Sequence, residues 1–91
     1  MTSTETRARN IAAAVLGVDG VAELHGGRFG SFGTYLAGDR ITGIRIGDDD
    51  SIEVHVTLHS HAPIRGTAGQ IRAAVAQLEP GAVNITIEDL A

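Results

Sequence analysis

The chain has 91 residues, the length of one domain, and a 43% hydrophobic share that supports one modest core and argues against disorder. It has no cysteine, which excludes disulfides, thiol chemistry and thiolate metal sites, and it fits a reducing compartment. The net charge is −4 and all seven basic residues are arginine, a poor match to generic nucleic-acid or anionic-membrane binding, and no apolar run approaches the ~20 residues of a membrane helix.

Met1–Asn10 is polar and lacks the charged-then-apolar order of a signal peptide. Ala8, Ile11, Ala12, Val15 and Leu16 then follow helical spacing and predict one apolar stripe. Thr2 with Glu5 reads as a capping box, and Gly17 as a left-handed stop. A short turn over Val18–Val21 leads into Ala22–Leu24. Residues 25–39 hold Gly26, Gly27, Gly30, Gly33 and Gly38 and all three aromatics, Phe29, Phe32 and Tyr35. Ordering so many glycines costs backbone entropy, so this stretch is expected to be a long, flexible loop, with a short strand near Tyr35–Leu36.

Ile41, Ile44 and Ile46 mark the first clear strand, with Gly43 as a bulge candidate. Gly47–Ser51 is a polar turn, and Ile52, Val54, Val56 and Leu58 alternate with Glu53, His55, Thr57 and His59 in a half-buried strand. Together they predict a hairpin. Pro63 suits the first position of a second helix, whose stripe is Ile64, Ala68, Ile71, Val75 and Leu78. Glu79-Pro80-Gly81 ends it, and Val83, Ile85 and Ile87 alternate in a last strand. The expected fold is α+β in the order α-β-β-α-β: one domain over residues 1–91, with both helices on one face of a three-stranded sheet. The last strand could lie beside either of the other two.

Four motifs carry candidate chemistry. His55 and His59 share a strand face with His61 just beyond; His59 and His61 could grip one ion, with Glu53 the nearest carboxylate in sequence. The competing reading is a solvated strand end. Gly26–Gly33 lacks the Lys-Ser/Thr of a phosphate loop, and Ser31 lacks the Gly-x-Ser-x-Gly spacing of a nucleophile elbow. Its aromatics instead suggest a partner-binding loop with Arg28, Phe29, Phe32 and Tyr35 as contacts, set against a plain surface loop. Gly66-Thr67-Ala68-Gly69 resembles the Gly-x-x-Gly of KH domains, with Arg65 and Arg72 as phosphate contacts; the alternative is a glycine face packed on the sheet. Asp48–Asp50 lacks the alternating pattern of a calcium loop and reads as a solvated turn. No nucleophile–base set or carboxylate pair follows from spacing, so the expectation is a protein without catalytic, cofactor or metal residues.

Several segments together resemble the alkaline shock protein family, also called the envelope stress response family. They are Val18–Gly26 after the first helix, the strand Ile52–Leu58, the Ile64, Ala68, Ile71, Val75 helix pattern, and the closing Val83-Asn84-Ile85-Thr86-Ile87-Glu88-Asp89. The likeness spans about residues 8–90. His59-Ser60-His61 stands where the family has Tyr-Gly, Asp19 where it has Pro, and the stretch before the last strand is short, as in an actinobacterial-type branch. The resemblance implies a non-enzymatic, cytoplasmic protein of envelope homeostasis. Such a protein can self-associate, and it gathers at the inner face of the membrane through a partner, a membrane-associated protein or a paralogue. Two alternatives remain beside it: a small KH-like nucleic-acid binder, and a cysteine-free relative of iron–sulfur or metal assembly domains, which share the β-β-α-β rhythm of Val54–Ile87.

Overall fold

A computed structural model of the chain describes residues 3–36 and 39–91. Its elements are α1 (Thr4–Leu16), β1 (Val21–Leu24), β2 (Gly33–Leu36), β3 (Asp39–Thr42), β4 (Ile44–Ile46), β5 (Ile52–Leu58), α2 (Ile64–Ala76) and β6 (Val83–Leu90). The strict alternation in β5 sets the architecture. Ile52, Val54, Val56 and Leu58 are fully buried against Ala8, Ile11 and Val15 of α1 and Ile71 and Val75 of α2. Each such side chain removed from water contributes about 1.5–3 kcal/mol. The opposite face of β5 carries Glu53, His55 and Thr57.

The α+β class and the two helices agree with the sequence, but the sheet does not. Instead of three strands in one sheet there are four in one and two in another. β5 is central. Along one edge it pairs antiparallel with β4 (Ile44↔Val54, Ile46↔Ile52) and then with β1 (Val21↔Leu58, Leu24↔Val56). Along the other it pairs in parallel with β6, which settles the place of the last strand. β2 and β3 form a separate antiparallel hairpin. The single strand expected over Ile41–Ile46 is thus divided at Gly43, between one sheet and the other.

Gly43 makes that division sterically feasible. Its φ is +78°, and a Cβ there would lie 2.7 Å from the carbonyl oxygen of His55 and 3.0 Å from Cβ of Leu24. An L side chain meets both a backbone penalty and a clash at this point.

The helix ends also differ from expectation. Ser3 is the N-cap of α1, its Oγ accepting from Thr6 N at 3.2 Å; Thr2 lies outside the described residues. Gly17 keeps a right-handed φ of −79°, and the left-handed residue of this turn is Gly20 (φ +96°). Pro63 occupies the N-cap position and α2 begins at Ile64. Leu16, Ile64 and Leu78, assigned to apolar stripes, lie at helix ends and are about half exposed.

The Asp48–Asp50 turn is more than a solvated corner. Arg7 of α1 donates from Nε to buried Glu79 (3.1 Å to Oε1) and from Nη2 to Asp50 Oδ1 at 3.0 Å. The hydrogen bonds that Arg7 donates, first to Glu79 and then to Asp50, raise its pKa above the ordinary value. This ties α1 to the β4–β5 turn and to the end of α2. Asp49 accepts from the Ser51 hydroxyl and N–H, which hold its carboxyl below the usual range.

Gly66 and Gly69 are exposed, and a Cβ at Gly69 would meet nothing within 4 Å. The expected packing of a glycine face on the sheet is therefore absent; Thr67, Ile71 and Val75 bury instead. Gly69 sits inside a regular helix and only costs backbone entropy. Gly69→Ala is expected to raise stability by about 0.5–1 kcal/mol in urea unfolding; a loss of stability would mean that this face packs against something.

Candidate functional site

The site lies on the sheet face away from the helices, where β5 changes edge partner. The His25 N–H donates to the His55 carbonyl at 2.8 Å, and the His55 N–H donates to the Gly43 carbonyl at 2.9 Å. β1 therefore leaves the edge and the β3–β4 strand joins it at a single residue. Everything between, residues 26–42, is an excursion from the sheet that returns to the same point. The Gly43 N–H closes it by donating to the Phe32 carbonyl at 3.0 Å.

The His55 side chain holds this excursion down. Its ring stacks on Phe32 with centroids 3.7 Å apart and planes 17° from parallel. Its Nδ1 lies 2.8 Å from Glu88 Oε2. A carboxylate only accepts, so the proton of neutral His55 sits on Nδ1. Glu88 reaches it because β6 bulges there: Val56 is opposite Ile87 and Thr57 opposite Asp89, which leaves Glu88 as the extra residue. A bulge of this kind re-aims a side chain. Arg45 of β4 lays its guanidinium 4.5 Å from the Phe32 centroid. Thr57, on the same face, buries a hydroxyl with no hydrogen-bond partner, alone among the described side-chain polar atoms.

The glycine-rich stretch is held by several hydrogen bonds of its own. Gly27 N–H donates to His25 Nδ1 at 2.9 Å, Gly30 N–H to Gly27 O at 3.0 Å, and Phe32 N–H to Gly26 O at 2.7 Å. The β2–β3 hairpin holds its tip: Tyr35 Oη donates to Ser31 O, and Arg40 Nη1 to Gly30 O at 2.7 Å. Of the expected loop range 25–39, Ala37 and Gly38 lie outside the described residues.

The four residues expected to contact a partner divide into two groups. Phe32 is half-buried and occupied by His55 and Arg45. Phe29, by contrast, is 88% exposed, with the Arg28 guanidinium 5.8 Å from its centroid, and Tyr35 is 62% exposed. A shallow hollow beside Phe29 is lined by Arg28, Phe29, Ser31, Phe32, Arg45 and His55 among others; Tyr35 is not part of it.

The three candidate metal histidines do not meet. His55 is committed to Glu88 and Phe32. His59 and His61 stack on each other at 5.6 Å, both exposed, beside a cavity of about 650 Å³ between the α1–β1 turn and the start of α2. Among the described residues no three His, Asp or Glu side chains gather as a metal site needs. Glu53, expected as their carboxylate, lies on β5 opposite Arg45. The Gly66–Gly69 motif lies inside α2, where Thr67 N already donates to Pro63 O; a KH clamp uses a loop.

Sequence reading missed Glu88 and Arg45 as members of this cluster. The alternation of His55 and Glu53 on one strand face was visible, but neither the parallel neighbour nor the bulge that aims Glu88 leaves a local signal. Comparison with protein-family models, with curated proteins and with solved structures finds no match to this chain.

If the Phe32–His55 stack closes the excursion, Phe32→Ala is expected to speed amide hydrogen exchange at positions 30 and 32 by about two- to tenfold, since a stacked aromatic pair contributes about 0.5–1.5 kcal/mol beyond its buried area. Core amides of β5 are expected to keep their protection. Unchanged exchange at positions 30 and 32 would mean that the loop is held by other contacts.

Proposed function

We propose that this chain is a non-catalytic protein-binding module of cell-envelope homeostasis that engages its partner through the loop Gly26–Phe32. One observation carries the reading: the loop spends hydrogen bonds and the Phe32 ring on holding its own shape, yet presents Phe29 at 88% exposure. An exposed ring on an internally bonded loop suits an interface, where aromatic anchors supply much of the binding energy.

The non-catalytic part of this reading rests on the sequence resemblance; in the fold, His55 has a holding role. Its Nδ1 and one ring face are taken by Glu88 and Phe32, and the same residue's backbone joins β1 to β4. The cellular setting rests on the sequence resemblance: a cytoplasmic protein, drawn to the inner face of the membrane by a membrane-protein partner or a paralogue. No helix among the described residues is long and apolar enough to cross a membrane, so in this reading membrane association runs through the partner.

A photo-crosslinking amino acid placed at position 29 in native cells tests the proposal. It is expected to capture a small membrane protein or a paralogue, resistant to nuclease, while the same probe at exposed Gln77 does not. Equal capture at both positions, or capture that disappears with nuclease, would contradict it.

A further inference from the structure

Charge is divided unevenly in this molecule. Residues 25–47 contain Arg28, Arg40 and Arg45 against one acid, Asp39, a net +2; with the whole chain at −4, the remainder carries −6. The cationic stretch is the excursion that carries the exposed aromatics together with β4, which follows it and supplies Arg45. Arg28 lies over Phe29 at 5.8 Å and Arg45 over Phe32 at 4.5 Å, on either side of a hollow of about 280 Å³. Both arginines are exposed, and a guanidinium beside a ring keeps N–H donors matched to a carboxylate. Of the acids on this face, Glu88 is engaged by His55 at 2.8 Å and Glu53 lies opposite Arg45 in the β4–β5 pair, which leaves Arg28, of the two arginines at the hollow, as the cation with no acid across from it in the sheet.

We infer that this surface takes an acidic protein segment, with carboxylates against Arg28 and Arg45 and an apolar side chain against Phe29. The inference rests on the loop being the partner face and adds the chemistry of the partner. The charge asymmetry supports it: at physiological salt the field of a charge fades within roughly 8–10 Å, so an acidic chain is attracted near the loop and repelled by the −6 body elsewhere. A broad anionic bilayer is a poorer occupant, because it would meet much of that body together with the loop.

Random peptides displayed on phage, selected against the full-length protein, supply the test. Selected sequences are expected to place Asp or Glu around an apolar residue. A synthetic selected peptide, followed by fluorescence anisotropy, is expected to bind about tenfold or more weakly to the Arg28→Glu, Arg45→Glu double variant, and more weakly in high salt. Selection of peptides without acidic excess overturns the inference, as does no enrichment, insensitivity to the double variant, or tighter binding to phosphatidylserine vesicles than to any selected peptide. The two readings fail separately. Non-acidic peptides lost with Phe29→Ala overturn the charge inference alone, whereas acidic peptides that bind Phe29→Ala as tightly as wild type remove the loop reading beneath it.

Discussion

The rest of the structure depends on the sharing of one edge of β5 by two short strands that part at His55. β1 and β4 each cover only a portion of that edge, so the chain between them must leave the sheet and come back at one residue. The backbone of His55 accepts from the departing strand and donates to the returning one. Gly43 lets the returning strand come close enough, with its carbonyl on the His55 N–H and a φ of +78°. Because His55 alternates with buried Val54 and Val56, its side chain falls on the outer face, directly beneath the excursion.

This arrangement explains the unusual placement of aromatics. The core is aliphatic, built from Ile, Val, Leu and Ala of β1, β3, β4, β5 and the two helices. Phe29, Phe32 and Tyr35 all lie on the excursion instead. Phe32 fastens it, through a stack worth about 1 kcal/mol beyond its burial. Tyr35 ties the hairpin to the loop by its hydroxyl, and Phe29 stays in water. The fastening of Gly26–Phe32 is modest beside the core, which the excursion also enters through Ile41 of β3. A segment of that kind suits recognition, where small adjustments fit a partner without disturbing the scaffold.

Much of the fold was legible in local pattern. Both helices, β5 and β6 follow from strict periodicity, because each buries one face against the same core. What escaped was non-local. β1 is four residues with little alternation, and its strand character comes from pairing with the end of β5. The break at Gly43 was visible as a glycine in a strand, but not that two sheets meet there. On the site, the loop residues Arg28, Phe29, Phe32 and Tyr35 stood out by composition. The division of labour between Phe29 and Phe32 did not, because it depends on which ring lies over His55. Glu88 was invisible for the same reason: only a bulge in a parallel neighbour brings it to a residue 33 positions away in the chain.

The central claim is that His55 joins the strands through its backbone and holds the excursion through its ring. The most direct measurement is the set of proton–proton nuclear Overhauser effects between the aromatic rings of Phe32 and His55 in the free protein. The account predicts strong effects between the two rings and upfield ring-current shifts at His55, as a 3.7 Å stack requires. A Phe32 ring with averaged, solvent-like shifts and no effect to any residue of β5 would contradict it.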